Sequence, residues 1–233
     1  MTPALKPADR IIVALDTSSA DEALALVDTL AGRVGMFKVG SQLFTAAGPA
    51  FVRELVARGE KVFLDLKFHD IPNTVAGAVS SACQLGVALL DVHALGGRAM
   101  LEAAAAALPA MGARMLAVTI LTSMDEAAHG EVGLKGDLAG SVRRLALLAR
   151  EARLDGVVAS PHEVAMVREA CGPDFLIVTP GIRPQGSAAG DQARAATPRA
   201  AREAGADLLV IGRPITGAAD PRKAVDALVD QLA

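Results

Sequence analysis

Hydrophobic residues recur along the chain in eight short, uninterrupted runs, and each run is followed by a longer segment with helical spacing. The runs are IIVALD (11–16), MFKVG (36–40), KVFLDLK (61–67), ALLDVHA (88–94), RMLAVTILT (114–122), GVVAS (156–160), FLIVTP (175–180) and DLLVIGR (207–213). Their apolar residues are consecutive rather than alternating, which is typical of parallel strands buried on both faces. The pattern therefore predicts eight parallel strands that alternate with helices.

The segments between the runs carry the signals that begin and end helices. Ser19 and Glu22 form a capping box, and Thr197 precedes a proline at a first helical position. Glycines follow several of the segments where helices stop. Eight strand–helix pairs predict an α/β protein with a (β/α)₈ TIM barrel, formed as one domain over residues 1–233. A doubly wound open sheet is the alternative, but ALDTSS follows the first run in place of G-x-G-x-x-G.

Composition narrows the class of protein. Of 233 residues, 52% are hydrophobic and the net charge is −3, so there is no basic footprint for nucleic acid. Cys83 and Cys171 are isolated, which suits a reducing compartment. The first residues contain no apolar signal-peptide core, and no apolar run approaches the about 20 residues that span a membrane. The sequence predicts a soluble, cytoplasmic protein.

Polar residues stand at the carboxyl end of nearly every predicted strand, which is the face where TIM barrels build active sites. They are Asp16, Lys38, Asp65, Lys67, Asp91, His93, Thr122, Ser123, Ser160, Arg183, Gly212 and Arg213. Asp65 and Lys67 are two positions apart and share one face of their strand. Leu64, Leu66 and Phe68 then face the helices. A structural ion pair is the alternative, but desolvation makes buried pairs weak stabilisers, so we interpret the cluster as functional.

This cluster of lysines and aspartates suits the chemistry of a carbanion. Nearby carboxylates favour the ammonium form of a lysine, which is a proton donor and a poor Schiff-base nucleophile. A carbanion forming beside the ammonium would be stabilised and then protonated. Arg183 and Gly212-Arg213, which follow the last two strands, indicate a phosphate site. Asp91 and His93 lack a third ligand at a suitable spacing, so no metal is predicted.

Two connections at the predicted active-site face are unusually long. They are SMDEAAHGEVGLKGD (123–137) and GIRPQGSAAGDQARAA (181–196). Both are interpreted either as lids over a ligand or as ordinary surface loops. His129, in the first of them, is predicted to be solvated.

Motifs along essentially the whole chain resemble those of the orotidine 5′-phosphate decarboxylase family, most closely its bacterial branch. They are ALD (14–16), KVG (38–40), DLKFHDIPNT (65–74), LTS (121–123), TPGIRPQG (179–186) and VIGRPIT (210–216). The D-x-K-x-x-D segment followed by IPNT is the most specific. The resemblance implies decarboxylation of orotidine 5′-phosphate to UMP, the last step of UMP biosynthesis, by a homodimeric TIM barrel that uses no cofactor.

The resemblance also implies roles for the matching residues. Lys67 would protonate the pyrimidine carbon as CO₂ leaves, with Asp65 beside the departing carboxylate. Lys38 would bond within the charge network and to the ribose. Asp70, with Thr74 near it, would reach into the neighbouring subunit's site. The other contacts would come from Asp16 at the ribose, Thr122 and Ser123 at the pyrimidine, and Pro180, Arg183, Gln192 (or Gln185), Gly212 and Arg213 at the phosphate.

Three other functions remain as alternatives. A sister sugar-phosphate decarboxylase or hexulose-phosphate synthase shares D-x-K-x-x-D, but it resembles this chain less because it carries Glu in place of Lys38 to help bind Mg²⁺. A class I aldolase would use Lys67 as a Schiff base. A non-catalytic binder of nucleoside monophosphates would not need the complete set of lysines and aspartates.

Overall fold

The computed structural model of the protein describes residues 5–110, 112–184 and 196–232, and its strands close into a parallel barrel. Strands follow one another around the barrel in chain order, and the eighth pairs with the first. The strands are β1 (Ile11–Ala14), β2 (Met36–Gly40), β3 (Val62–Phe68), β4 (Leu89–His93), β5 (Arg114–Val118), β6 (Gly156–Val158), β7 (Leu176–Thr179) and β8 (Leu208–Ile211). The predicted TIM barrel is confirmed, and the open sheet is wrong.

Helices surround the barrel. They are α1 (Ala20–Leu30), α2 (Ser41–Ala57), α3 (Pro72–Cys83), α4 (Gly97–Ala106), α5 (Glu126–Glu131), α6 (Leu138–Glu151), α7 (Val164–Cys171), α8 (Pro198–Ala204), α9 (Arg213–Thr216) and α10 (Pro221–Leu232). Within the described ranges, none of these helices is both long enough and apolar enough to cross a membrane.

The predicted caps form with one exception. Thr197 accepts the Ala200 N–H, and Ser19 accepts the Glu22 N–H at 3.2 Å. The return bond of the capping box is absent: the Ser19 N–H donates to Thr17 Oγ1, and the Glu22 carboxylate accepts the Thr17 hydroxyl at 2.6 Å. Thr17 therefore bonds to the Ser19 N–H and to the Glu22 carboxylate, the two groups that would bond to each other in a complete capping box.

The hydrophobic core has two layers. The larger lies between the strands and the helices, and it includes Leu64, with Leu66 and Phe68 packed against it, as predicted from the two-residue period. A smaller layer fills the barrel with side chains such as Phe63, Leu89 and Leu116. Because this inner layer fills the middle of the barrel, ligand space remains only at its ends.

Candidate active site

A pocket of about 390 Å³ opens at the carboxyl ends of the strands. Several predicted strands end earlier than their hydrophobic runs, so Asp16 and Thr122 lie in the loops that follow β1 and β5. The predicted residues that line the pocket are Asp16, Lys38, Asp65, Lys67, Thr122, Pro180, Arg183, Gly212 and Arg213. The structure thus brings together most of the residues selected from the strand ends.

Asp65 is the centre of the charged cluster. Its Oδ2 lies 3.1 Å from Lys38 Nζ, and its Oδ1 is in direct contact with Lys67 Nζ. Lys38 Nζ is also 3.2 Å from Asp16 Oδ1. One carboxylate therefore holds two ammonium groups at the floor of the pocket.

In this cluster, burial and the neighbouring charges shift the pKa values in opposite directions, and the charges have the larger effect. Lys38 and Asp65 are each only 8% exposed. Burial by itself raises the pKa of Asp65, but the Lys38 and Lys67 ammonium groups outweigh it and lower that pKa to about 2. Burial likewise lowers the pKa of Lys38, and the carboxylates of Asp65 and Asp16 reverse this to a net increase. Lys38 and Asp65 are therefore ionised at neutral pH.

Strand β3 is irregular where it delivers Lys67. Phe63 pairs with Leu89, but Phe68 pairs with Val92, so after Leu64 four residues of β3 span the length of two in β4. Lys67 has φ of 51°, a left-handed conformation that is uncommon for a residue with a side chain. The register shift was not predicted, but the predicted faces are confirmed: Asp65 and Lys67 line the pocket, and Leu64, Leu66 and Phe68 pack in the outer core.

Asp91 supports this irregular segment from the next strand. Its Oδ1 accepts the backbone N–H of Lys67 at 2.8 Å, and the residue is fully buried. Burial and the nearby charge of Asp65 raise its pKa well above the ordinary value. From the sequence, Asp91 was one of the polar residues at the strand ends and an incomplete metal ligand, with no other role. Its position between Leu89 and His93, on the strand face that points into the barrel, was the available signal.

The absence of a side chain at Gly40 leaves room for the Lys38 ammonium group. A Cβ at this position would lie 3.0 Å from Lys38 Nζ and 3.7 Å from Asp16 Oδ1. Gly40 is the last residue of the motif KVG, and its role was not predictable from the sequence. The ammonium fills the space into which a side chain would project.

Two arginines contribute a positive patch to the same pocket. Burial, together with the neighbouring Arg213 guanidinium, lowers the pKa of Arg183. Gly212 follows β8 and precedes Arg213, the first residue of α9, so a backbone turn and a guanidinium lie side by side. Such a patch suits an anionic group. Gln185 and Gln192, the alternative phosphate contacts, lie outside the described residues.

Among the described residues with a predicted catalytic or substrate-binding role, three do not line this pocket. Ser123 is exposed, and so is Thr74 in the first turn of α3. Asp70 is exposed beside Ile71 and Leu95 in a separate shallow depression, and its Oδ1 accepts the Ile71 N–H at 2.6 Å. The arrangement of one chain therefore gives Asp70 no contact with its own Lys67 cluster.

The long connection after β5 is folded. It contains α5, which Asp125 caps, and Asp137 caps the following α6. His129 is 1% exposed and forms a 2.8 Å hydrogen bond with Ser141 on α6. The prediction that His129 is solvated is wrong, because α5 turns this face inward.

Histidines near β4 form a second polar group. The rings of His69 and His93 stack with centroids 5.4 Å apart. Burial, then His69 and Lys67, lower the pKa of His93. Throughout 5–110, 112–184 and 196–232, no group of three His, Cys, Asp or Glu side chains is arranged to hold a metal ion.

A closed (β/α)₈ barrel with a buried charge cluster at the carboxyl ends of its strands has the architecture of a TIM-barrel enzyme. The chain belongs to the orotidine 5′-phosphate decarboxylase / HUMPS family, whose model matches residues 9–228. The family expected from the motifs is thereby confirmed.

Individual relatives span nearly the whole chain. This chain is 56% identical over 232 residues to orotidine 5′-phosphate decarboxylase of Moorella thermoacetica, and the match covers 96% of this chain and 92% of that protein. The corresponding protein of Geobacter sulfurreducens is 53% identical over 229 residues, with 96% of each chain covered. The crystal structure of orotidine 5′-phosphate decarboxylase from Lactobacillus acidophilus superposes with a TM-score of 0.85 at 39% identity, covering 95% of this chain and 98% of that one.

Proposed function

We propose that the protein is a carboxy-lyase that converts orotidine 5′-phosphate to UMP and CO₂, the final step of UMP biosynthesis. The observation that carries the proposal is the contact of one buried carboxylate, Asp65, with the ammonium groups of both Lys38 and Lys67. The relatives named orotidine 5′-phosphate decarboxylase support the same substrate. We further propose a single-domain, cytoplasmic enzyme that needs no cofactor.

Lys67 is the proposed acid. When the bond to the carboxyl carbon breaks, its electron pair stays on the pyrimidine ring carbon and CO₂ leaves as a neutral molecule. The new C–H bond takes its proton from the Lys67 ammonium, which becomes a neutral amine. Before that transfer, the ammonium stabilises the developing negative charge.

Asp65 is proposed to lie beside the departing carboxylate and to hold Lys67. As the reaction proceeds, negative charge moves away from the carboxyl group and onto the ring carbon beside the ammonium. The fixed arrangement of Lys38, Asp65 and Lys67 therefore suits the charge distribution of the transition state better than that of the substrate.

The rest of the pocket is proposed to bind the parts of the substrate that do not react. Asp16 and Lys38 would bond to the ribose, and Thr122, with Ser123 beside it, to the pyrimidine edge. Pro180, Arg183, Gln192, Gly212 and Arg213 would form the phosphate end. Binding free energy from the phosphate and ribose can then fix the geometry at the reacting carbon.

We propose a homodimer in which Asp70 and Thr74 serve the partner's active site. Asp70 lies outside its own pocket, next to Ile71, which is 66% exposed, and Leu95, which is 38% exposed. Exposed apolar residues beside a polar group of this kind are typical of an interaction surface.

Lys38 distinguishes the proposal from a Mg²⁺-dependent relative in the same family. Its ammonium lies 3.1 and 3.2 Å from the carboxylates of Asp65 and Asp16 and balances their negative charge without a metal ion. Lys67 is in contact with the Asp65 carboxylate, an arrangement that suits an ion pair, whereas an aldolase requires a free amine.

Loss of the ultraviolet absorbance of orotidine 5′-phosphate, followed with and without EDTA, tests the proposed function. We expect the same rate of loss in both. Loss of activity in EDTA would favour the metal-dependent relative. Tight binding of UMP without any turnover of orotidine 5′-phosphate would favour a non-catalytic binder.

A further inference from the structure

We propose that Asp91 is a positioning residue, whose buried carboxyl group accepts the Lys67 N–H and thereby holds the Lys67 ammonium against Asp65. The inference rests on the proposed function and adds to it a residue that is not among the predicted substrate contacts. Asp91 does not line the pocket, so its proposed effect on the reaction passes through Lys67.

The backbone geometry shows why Lys67 needs such support. The register between β3 and β4 changes between Leu64 and Phe68, and Lys67 lies in this irregular segment with φ of 51°. A side-chain oxygen, Asp91 Oδ1, therefore accepts the Lys67 N–H at 2.8 Å within a parallel sheet. Left-handed conformations of residues with side chains persist only where the surroundings stabilise them.

Asp91 is suited to this task as a neutral acid. It is 0% exposed, and both burial and the Asp65 charge favour the protonated form. Its Oδ1 remains an acceptor for Lys67, while Oδ2 carries the proton. Within the described part of the chain, Oδ2 makes no hydrogen bond.

Neutrality matters because Asp65 already uses its charge to hold two ammonium groups. A second buried carboxylate beside it would repel Asp65 and compete for Lys67. A protonated carboxyl provides the acceptor oxygen without adding negative charge. The two neighbouring aspartates then have different roles, Asp65 as the ionised partner of the lysines and Asp91 as the neutral acceptor.

Two variants of Asp91 separate the effect of its acceptor oxygen from the effect of its acid proton. Asp91→Ala removes the acceptor, and we expect kcat to fall by about 100-fold, with KM little changed, because the ammonium is misplaced. Asp91→Asn keeps an acceptor oxygen and replaces the acid proton with an amide N–H. We expect it to keep kcat within a few-fold of wild type.

Asp155 provides the matched control. Its Oδ2 accepts the Met115 N–H at 2.7 Å, which is the same type of bond at the amino-terminal end of the barrel. Asp155→Ala should reduce stability but leave kcat unchanged. A wild-type kcat in Asp91→Ala, or an Asp91→Asn variant as impaired as Asp91→Ala, would overturn the inference.

Crystal structures of the Asp91 variants test the positioning role of Asp91 without any substrate. In Asp91→Ala we expect Lys67 to leave φ near 50° and to lose its contact with Asp65, whereas both persist in Asp91→Asn. Retention of both in Asp91→Ala would refute the positioning role. If the wild-type protein does not consume orotidine 5′-phosphate, the proposed function fails, and this structural comparison still tests Asp91. If Asp91→Ala does not fold, Asp91→Asn alone decides: impaired kcat or a displaced Lys67 refutes the inference.

Discussion

Lys38 and Asp65 form a 3.1 Å ion pair in which each residue is only 8% exposed. Asp65 also contacts Lys67, so its removal would leave two ammonium groups close together with one fewer carboxylate to balance them. Breaking a buried charge pair by removing one partner is strongly destabilising. The cluster is therefore one electrostatic unit, and variants of its members report on both stability and activity.

Lys67→Ala should abolish most turnover while leaving ligand binding largely intact. We expect kcat to fall by about 10²-fold to 10⁴-fold, because the carbanion loses its proton donor. This is the typical contribution of a general acid. Ultraviolet absorbance gives kcat, and calorimetry gives the affinity for UMP. Lys223→Ala, on a side chain that is 86% exposed, is the control and should behave as wild type. Unchanged turnover in Lys67→Ala would contradict the proposed role.

Gly40→Ala should reduce activity through Lys38. The added methyl group would lie 3.0 Å from Lys38 Nζ, and the ammonium would have to move away from Asp16 or Asp65 to admit it. We expect kcat to fall by roughly 10-fold to 100-fold, as geometry at the charge cluster changes. Gly77→Ala on α3 is the control, since a Cβ there meets nothing within 4 Å and alanine favours a helix. Equal kcat values for the two variants would contradict this account.

Acid should remove the stability that Asp65 contributes. Its folded-state pKa of about 2 is below the ordinary 3.8, so the unfolded chain binds more protons between these values. The contribution is present above the ordinary value and is lost as the pH falls towards about 2. Urea unfolding of wild type and Asp65→Asn should therefore give a difference in free energy that shrinks from about pH 6 to about pH 3. A difference that stays constant over this range would contradict the ionised assignment.

Asp91→Asn should be more stable than wild type at neutral pH. The folded-state pKa of Asp91 is raised by burial and by Asp65, so the folded chain keeps a proton that the unfolded chain releases. Wild-type stability at this site is therefore lost as the pH rises from the ordinary 3.8 through the folded-state pKa. The amide has no proton to release. Urea unfolding at about pH 5 and about pH 8 should show a variant advantage that grows with pH, and a constant difference would argue against it.

Mixing two inactive variants tests whether Asp70 serves the partner. In Asp70→Ala and Lys67→Ala mixtures, half of the dimers would be mixed, and each would contain one intact active site. We expect recovery of about a quarter of the wild-type activity after subunit exchange. Asp65→Ala mixed with Lys67→Ala is the control. Both residues lie in one pocket, so no mixed dimer is intact and activity should not return. If exchange is verified by mass spectrometry and the first mixture stays inactive, the shared site is refuted.

The barrel could be predicted because its strands are buried on both faces, which leaves continuous apolar runs such as IIVA in β1. Most pocket residues could be predicted because parallel strands deliver the side chains at their carboxyl ends to one face. Asp16 and Lys38, which come from consecutive β/α units, meet at 3.2 Å for this reason.

Features that depend on a neighbouring strand or helix were not predictable. The conformation of Lys67 follows from the register between β3 and β4, which the period of one strand does not determine. His129 is buried because α6 supplies Ser141 as a partner. The missing second bond of the Ser19 capping box has a local cause instead: the Thr17 hydroxyl, two residues earlier, bonds to both Ser19 and Glu22.

The anchoring of α5 affects the thermodynamics of ligand binding. His129 bonds to Ser141, and the Glu126 carboxylate accepts the Leu138 N–H at 3.1 Å, so this segment is tied to α6 by contacts of the protein itself. Ordering a residue costs about 1–2 kcal/mol of conformational entropy for the backbone alone. The segment next to Leu121 and Thr122 is already ordered in the folded protein. A ligand that contacts these two residues therefore does not have to supply the free energy for ordering it. More of the free energy of its contacts is then retained as affinity.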